Sequence, residues 1–314
     1  MGDCITPGGL SFPGREICLP GNGKYFQEET IMVIDIHTFP GFFEEICEDP
    51  KKIEFRREQY FLYKQHVWPL SLFITQLNAA GIDKAVISAE DVTTRAGGEI
   101  VSNEEVKSLV DRYPDRLVGF ASVDPKRPDA VEVLEKAFTE LGLAGLKLSP
   151  AMQYFMPDDP CMKPVYETCL KYNKPILFEA GMTWVKNSPS KYSNPLNFEE
   201  TAIEYPELRM CLGHFGWPWT RETAMLILKY PNLYADTALL YFDSPKQFFQ
   251  TTFNDQLGEY WIDRMLYDKV MFGSTYPRIE QKRMVKAVDA LTLRPKQRAM
   301  VMGENALRFL GMEE

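Results

Sequence analysis

Short apolar segments alternate with segments of amphipathic helical spacing along most of this chain. The predicted strands cover residues 31–37, 85–89, 117–121, 145–148, 175–178, 210–213, 233–236 and 270–273. The predicted helices cover residues 69–81, 103–113, 128–141, 162–172, 198–205, 222–230 and 261–267. Apolar strands that are separated by helices indicate a parallel sheet with helices packed on it. Eight such strands close most simply into a TIM (β/α)8 barrel, an α/β fold.

Length and local composition predict the domain organisation. The chain has 314 residues, and one closed barrel needs roughly 250. Residues 1–30 are rich in Gly and Pro and have no clear periodicity, which predicts an irregular N-terminal arm. Residues 31–314 are predicted to form a single barrel domain. Within this domain, the charged and aromatic residues 40–65 are predicted to be an insertion over the barrel mouth.

The composition argues against several classes of partner. The net charge of −9 disfavours binding to nucleic acid or to an anionic membrane. No apolar run approaches the roughly 20 residues that cross a bilayer, and the N-terminus lacks the pattern of a secretory leader. The six cysteines are scattered without a C-x-x-C pair, which predicts free thiols in a reducing cytoplasm.

The first strand ends in Asp35-Ile-His37, and this histidine is the first candidate functional residue. Barrel enzymes keep their chemistry at the carboxyl ends of the strands, so His37 is expected at the catalytic edge. Side chains alternate along a strand, so residues 37 and 39 are expected to point to the same side. The same rule gives the other candidates at this edge, which are Phe39, Lys147, Glu179, His214, Asp236 and Thr275.

Each candidate also has a structural interpretation. His37 is either functional or a barrel-interior histidine that bonds only to its neighbours. Glu179 ends an otherwise apolar strand, where an unpaired carboxylate is costly. It is therefore either functional or the partner of Lys147 in a structural ion pair. Lys147 in turn binds a substrate carboxylate or serves only Glu179, and Asp236 orients His214 or acts as an ordinary cap.

The order and spacing of short motifs carry a family resemblance from about residue 31 to the end of the chain. The motifs are Asp35-Ile-His37, Ala80-Gly-Ile-Asp-Lys-Ala85, Tyr113-Pro-Asp-Arg-Leu-Val-Gly119, Gly145-Leu-Lys-Leu-Ser-Pro150, Gly213-His-Phe-Gly-Trp-Pro218, Phe272-Gly-Ser-Thr-Tyr-Pro277 and Gly303-Glu-Asn-Ala306. With them the sequence resembles the amidohydrolase-related superfamily of TIM-barrel proteins. The resemblance is greatest to the branch that includes aminocarboxymuconate-semialdehyde decarboxylase and aromatic-acid decarboxylases.

The resemblance implies a degenerate metal site. Family members usually bind their metal through two histidines after the first strand, one after the fifth and an aspartate after the eighth. Here Phe39, Glu179 and Thr275 stand at three of these four positions. No cofactor is firmly predicted. The alternative is zinc, manganese or iron held by His37, Glu179 and His214, a two-His-one-carboxylate set.

The resemblance also suggests roles for the candidates. The histidine after the sixth strand, His214, corresponds to the family's general acid or base. Glu179 and His37 would orient it or activate water, and Lys147 would hold the substrate anion. The predicted substrate-binding residues are Lys147, Phe39, Trp184, Trp217, Asp236, Thr275 and Tyr276. The aromatic residues among them are expected to pack near loop tips or to form a wall for a planar ligand.

Three functions follow as hypotheses. The first is an enzyme that acts on a small, aromatic or unsaturated, carboxylate by His/Glu acid–base chemistry, with decarboxylation favoured. The second is a hydrolase of a lactone, ester or amide, with Glu179 or His37 as the base toward water. The third is a catalytically inactive barrel that serves as a binding or assembly subunit, which the substitutions in the metal site motivate. The N-terminal arm and the resemblance make a homodimer possible.

Overall fold

A computed structural model describes residues 31–238 and 244–313. The arm predicted for residues 1–30 lies outside the described residues. The strands are β1 (Ile34–Thr38), β2 (Lys84–Ser88), β3 (Glu90–Asp91), β4 (Glu99–Val101), β5 (Leu117–Ala121), β6 (Gly145–Leu148), β7 (Ile176–Phe178), β8 (Met210–Leu212), β9 (Leu233–Asp236) and β10 (Val270–Met271). All eight predicted strands are therefore present, with shifts of a few residues at their ends.

The eight predicted strands form one parallel sheet in the order β1-β2-β5-β6-β7-β8-β9-β10. Hydrogen bonds join the last strand region to the first, from Ile36 N to Phe272 O (2.9 Å) and from Thr275 N to His37 O (3.0 Å). These bonds bring the two edges of the sheet together, as in a barrel. The predicted TIM-barrel fold is confirmed.

Helices lie between the strands. The α-helices are α1 (Pro50–Tyr60), α2 (Leu70–Ala80), α3 (Thr93–Ala96), α4 (Asn103–Val110), α5 (Ala130–Thr139), α6 (Pro150–Gln153), α7 (Lys163–Lys171), α8 (Glu199–Glu204), α9 (Thr220–Lys229), α10 (Pro245–Phe249), α11 (Gln281–Asp289), α12 (Pro295–Ala299) and α13 (Asn305–Leu310). Short 3-10 segments cover Glu44–Ile46, Pro160–Met162, Ser190–Tyr192, Pro195–Phe198 and Gly213–Gly216. Wider π-helical turns cover Gln250–Leu257, Ile262–Leu266 and Met300–Glu304. The helix predicted for residues 261–267 is thus present as a π-helix.

The interior of the barrel is filled by apolar side chains from alternating strand positions. Ile36, Val86, Phe120 and Leu177 belong to one buried cluster that also contains residues of α13. Such layers make a TIM barrel a packed core rather than a pore. Polar side chains that point inward can therefore gather only at the ends of the strands.

Several elements near the carboxyl ends of the strands were not predicted as helices or strands, among them the pair β3/β4 and helix α1. The antiparallel pair β3/β4 follows the second barrel strand. Helix α1 lies within the predicted insertion and is tied down by the fully buried Arg56. The Arg56 guanidinium donates to Ile100 O of β4 (2.7 Å) and to Ile46 O (2.7 Å), and it pairs with Glu105 (2.8 Å). This arrangement holds α1 against β4 at the catalytic end of the sheet.

Among the residues that the structure describes, every helix is too short or too polar to cross a bilayer.

Candidate active site

An irregularity in β1 turns His37 into the barrel. Asp35 pairs with Ala85 and Thr38 with Ile87, so β1 uses one residue more than β2 over this interval. An extra residue of this kind re-aims the side chains that follow it. Asp35 is anchored by Ser274, whose backbone N–H and hydroxyl donate to its carboxylate at 2.9 and 2.6 Å. The aspartate of the Asp-x-His motif therefore positions the strand and is not itself part of the cluster around His37.

His37 lies between two carboxylates. Its Nδ1 is 2.8 Å from Asp236 Oδ2, and its Nε2 is 2.9 Å from Glu179 Oε1. A Cβ atom on Gly213 would lie 3.2 Å from the imidazole Cε1, so a small residue is needed beside the ring. Burial alone would lower the pKa of His37, but Asp236 and Glu179 outweigh this effect and raise the pKa to about 10.

The raised pKa of His37 predicts a pH dependence of stability. The folded state holds this proton more tightly than the unfolded chain, in which the pKa of His37 has its ordinary value of 6.5. The stabilisation is therefore complete below about pH 6.5 and is lost as the pH rises through about 10. We expect the free energy of unfolding of the metal-free protein to fall over this interval more steeply than that of His37→Gln. Urea titrations of both proteins in a chelating buffer test this, and parallel pH profiles would contradict it.

His214 is presented by a tight left-handed turn after β8. His214, Phe215 and Gly216 all have positive φ, at 57°, 50° and 59°. Non-glycine residues rarely adopt this conformation, and such strain is concentrated at functional sites. The backbone N–H of His214 donates to Asp236 Oδ1 at 2.8 Å, which stabilises the turn. Its ring Nδ1 is 3.3 Å from the carbonyl oxygen of Ala238.

Glu179 is the centre of the cluster. Its Oε1 is 2.9 Å from His37 Nε2 and 3.1 Å from Lys147 Nζ, and its Oε2 is 2.5 Å from His214 Nε2. Burial would raise the pKa of this carboxyl group, but Lys147, His214 and His37 hold it well below its usual value. The Glu179 side chain is 19% exposed, whereas the side chains of its three partners are only 1–2% exposed. An incoming ligand would therefore meet Glu179 first.

Lys147 has a second carboxylate partner that the sequence analysis missed. Its ammonium group is 2.6 Å from Glu90 Oε2, and Ser149 donates its hydroxyl hydrogen to the same carboxylate. The expected pair between Lys147 and Glu179 is present, but Glu90 makes the shorter contact. Glu90 directly follows the second predicted strand. The rule that selects residues at the carboxyl ends of the strands would therefore have identified it as well.

Aromatic side chains cover this polar cluster. The ring centroid of Phe39 is 5.2 Å from that of His37, and Lys147 Nζ lies 5.0 Å from the Phe39 centroid. Tyr60 at the end of α1 packs on Phe39 with a centroid distance of 5.5 Å. The buried Tyr60 hydroxyl has no hydrogen-bond partner among the described residues. These contacts place the end of α1 over the catalytic edge.

The open space beside the cluster is small. A cavity of about 20 Å³ is lined by Glu179, Ser149, Met182, Thr183, Ser193 and nearby residues. Sites for small molecules usually have about 300 Å³ or more. Among the described residues, this cavity alone is therefore too small to enclose a typical small-molecule ligand.

Asp236 contacts both histidines. We expected it to orient His214 or to act as an ordinary cap, and its side chain contacts the His37 ring and accepts from the backbone N–H of His214. Its side chain is fully buried, and it also accepts from the backbone N–H of Ala238 at 3.0 Å. Asp236 therefore positions the two histidines and offers no surface to a ligand in this form.

The remaining predicted residues have different surroundings. Thr275 is buried in a left-handed conformation (φ 63°), and its hydroxyl has no hydrogen-bond partner among the described residues. Tyr276 is buried in an aromatic cluster, 4.7 Å from Phe73 between ring centroids. Trp217 is half-buried and packs on Phe248 at 6.4 Å, and Trp184 is 43% exposed. Packing therefore accounts for Tyr276 and Trp217 in this form.

The family model described as Amidohydrolase (Amidohydro_2) matches residues 74–312. The chain belongs to the amidohydrolase family. Over 248 residues it is 19% identical to 2-amino-3-carboxymuconate-6-semialdehyde decarboxylase from Dictyostelium discoideum. This match covers 67% of the chain and 66% of that relative, so it spans slightly less than two thirds of the relative's length. The resemblance seen in the sequence motifs is confirmed.

Several solved structures are similar in fold to this chain. An uncharacterised TIM-barrel protein, Bb4693 from Bordetella bronchiseptica, superposes with a TM-score of 0.70 at 20% identity, covering 90% of this chain and 99% of that one. A 5-carboxyvanillate decarboxylase from Novosphingobium aromaticivorans has a TM-score of 0.64 at 16% identity, covering 90% and 97%. The latter was solved with manganese and 4-hydroxy-3-methoxy-5-nitrobenzoic acid. At these identities the likeness shows the fold.

The side chains of His37, Glu179 and His214 fit a divalent cation as its ligands. One ligand atom from each of His37, Glu179 and His214 lies within 4.8 Å of the others. Both histidines have Nδ1 next to an acceptor and direct Nε2 toward the centre, which is the usual arrangement of metal-binding histidines. Two histidines and a carboxylate form a known ligand set for zinc and iron. The resemblance implies that three of the family's usual metal ligands are replaced. A different set of three possible ligands is therefore present.

Proposed function

We propose that this amidohydrolase-family chain is a carboxy-lyase that removes CO2 from a small aromatic or unsaturated carboxylate by acid–base chemistry. The observation that carries the proposal is the buried pair of His214 Nε2 and Glu179 Oε2, 2.5 Å apart beside a buried lysine. Such a site combines a group that can transfer a proton with a cation that can hold a carboxylate. The similarity in sequence to a decarboxylase, described above, supports this choice.

In the proposed reaction, the bond between the substrate carbon and its carboxylate breaks. CO2 leaves, and the electron pair stays on the carbon until the protonated imidazole of His214 supplies a proton from Nε2. His214 then regains a proton from solvent. Lys147 holds the carboxylate before the bond breaks, and the buried surroundings strip water from it, which favours loss of CO2. The Phe39 ring above the lysine provides an apolar face for a planar substrate.

The same cluster could hold a divalent ion through His37, Glu179 and His214. A bound ion would supply Lewis acidity toward a substrate oxygen. Such binding would use the lone pair on Nε2 of His214, the atom proposed to carry the proton. A single His214 side chain therefore cannot serve both purposes at once.

Activity and metal content of the purified protein test the proposal together. We expect release of CO2 from at least one member of a panel of aryl and unsaturated carboxylates, and no turnover of lactones, esters or amides.

For the metal content, we expect substoichiometric zinc, manganese and iron, and activity that survives a chelator. Turnover of lactones or esters alone would support a hydrolase. No turnover at all would favour a binding subunit, and activity that requires a stoichiometric metal would contradict proton transfer by His214.

A further inference from the structure

Three side chains contact the Glu179 carboxylate, those of Lys147, His37 and His214, and each of these three donors is also held by another group. On the side away from Glu179, His37 is bound by Asp236 at 2.8 Å and Lys147 by Glu90 at 2.6 Å. The third donor, His214, sits on a turn whose backbone N–H is bound to Asp236. Each donor thus has an anchor other than Glu179, and together the three form a preorganised pocket for an anion.

Glu179 occupies this pocket with both oxygens. Oε1 contacts Lys147 and His37, and Oε2 contacts His214. Charge-assisted hydrogen bonds of this kind are the strong ones in proteins. Without the carboxylate, Lys147 Nζ and the two Nε2 atoms would lose the partner that they share, and the loss of one partner of a buried ion pair is strongly unfavourable. The pocket therefore favours a carboxylate or a similar anion.

Glu179 is also the part of the cluster that can leave. Its side chain keeps 19% exposure and borders the small cavity that contains Ser149 and Met182. It lies between β7 and Gly181, whose φ of 82° marks the start of an irregular segment. The side chains of the three donors, by contrast, are nearly inaccessible.

We infer that Lys147, His37 and His214 form a carboxylate-binding site that Glu179 fills as an internal ligand, and that a substrate carboxylate replaces it. This inference rests on the proposed function for the identity of the natural ligand, but the site itself requires no turnover. Replacement moves the contact of His214 Nε2 from Glu179 to the substrate carboxylate, beside the bond that breaks. The exchange breaks no covalent bond.

Formate binding to Glu179→Ala tests the site. The variant removes the internal carboxylate and leaves all three donors. We expect formate to bind it with a dissociation constant of about 1 mM and to raise its Tm at 100 mM by about 5 °C relative to equal sodium chloride. The wild-type protein should show no such shift, because its tethered carboxylate competes at a high effective concentration. Calorimetry and thermal unfolding measure both quantities.

Three variants provide controls. Glu179→Gln keeps the shape of the side chain and should not bind formate. Glu199→Ala removes a half-buried surface carboxylate paired with Lys229 at 2.8 Å, and it should not bind formate either. Adding Lys147→Met to Glu179→Ala should weaken formate binding at least about tenfold, because a charge-assisted contact is lost.

The possible outcomes separate this inference from the proposed function. Formate binding to Glu179→Ala without turnover of any carboxylate by the wild-type protein would support the site and overturn the proposed function. Turnover by the wild-type protein without formate binding to the folded variant would overturn the site and leave the function. Equal shifts in Glu179→Ala and Glu179→Gln would also overturn the site. If Glu179→Ala does not fold alone, its refolding yield should rise with formate, and an unchanged yield would contradict the inference.

Discussion

Replacing His214 with alanine is expected to reduce the rate of decarboxylation by about 10²- to 10⁴-fold, the usual contribution of a positioned general acid or base. The effect should appear in kcat, because the proton is transferred after the substrate has bound. Lys147 and His37 remain in place to bind the anion. Steady-state kinetics on the substrate found in the carboxylate panel would measure it, with circular dichroism to verify folding.

His66 offers a matched control for this variant. It is an exposed histidine outside the helices and strands, so His66→Ala removes an imidazole without touching the site. We expect its kcat to equal that of the wild-type protein. A His214→Ala variant that is folded and equally active would contradict proton transfer by His214. A loss that appears only in KM would assign this histidine to binding.

Replacing Lys147 with methionine is expected to have the largest effect on stability. The ammonium group lies between Glu90 and Glu179 at 2.6 and 3.1 Å, and its side chain is 1% exposed. Removing it leaves two buried carboxylates facing each other, and the loss of one partner of a buried pair costs about 3–5 kcal/mol of unfolding free energy. Denaturant unfolding at neutral pH would measure this loss.

Lys171 provides the comparison for Lys147. It pairs with Glu135 at 2.6 Å, but its side chain is 59% exposed, so Lys171→Met should lower the free energy of unfolding far less than Lys147→Met does. Adding Glu90→Gln to Lys147→Met should restore part of the lost stability, because one of the unpaired charges is then removed. Equal losses from the two lysine variants would contradict the description of the buried cluster.

The folded Lys147→Met protein also tests the role of this residue in binding. A carboxylate ligand should lose more affinity than a neutral amide of the same shape. Equal weakening of both ligands would assign Lys147 to structure alone.

The helices and strands could be predicted to a large extent because their signals are local. Strand β6 is a short apolar run around Lys147, and helix α5 has apolar residues at helical spacing. The exceptions have physical reasons. The pair β3/β4 is too short and too polar to produce a strand pattern, and the π-helical form of Ile262–Leu266 depends on packing rather than on composition.

The candidate site was predicted in part. The carboxyl-end rule brought His37, Lys147, Glu179 and His214 into one list, and the structure brings their side chains into contact. The rule identifies which residues reach the edge but not which atoms meet there. The contact between Asp236 and the His37 ring was therefore not predicted.

The amino-acid sequence by itself determined the barrel and the edge at which its polar residues gather, because both depend on the periodicity of residues close together in the chain. Only the tertiary structure decided which charges pair. The contact between His37 and Asp236 joins residues 199 positions apart, and that between Lys147 and Glu90 joins residues 57 apart. Such partners are set by the curvature of the closed sheet and by the irregularity in β1. For the same reason, the position of Glu179 among three donors could be seen only in the folded chain.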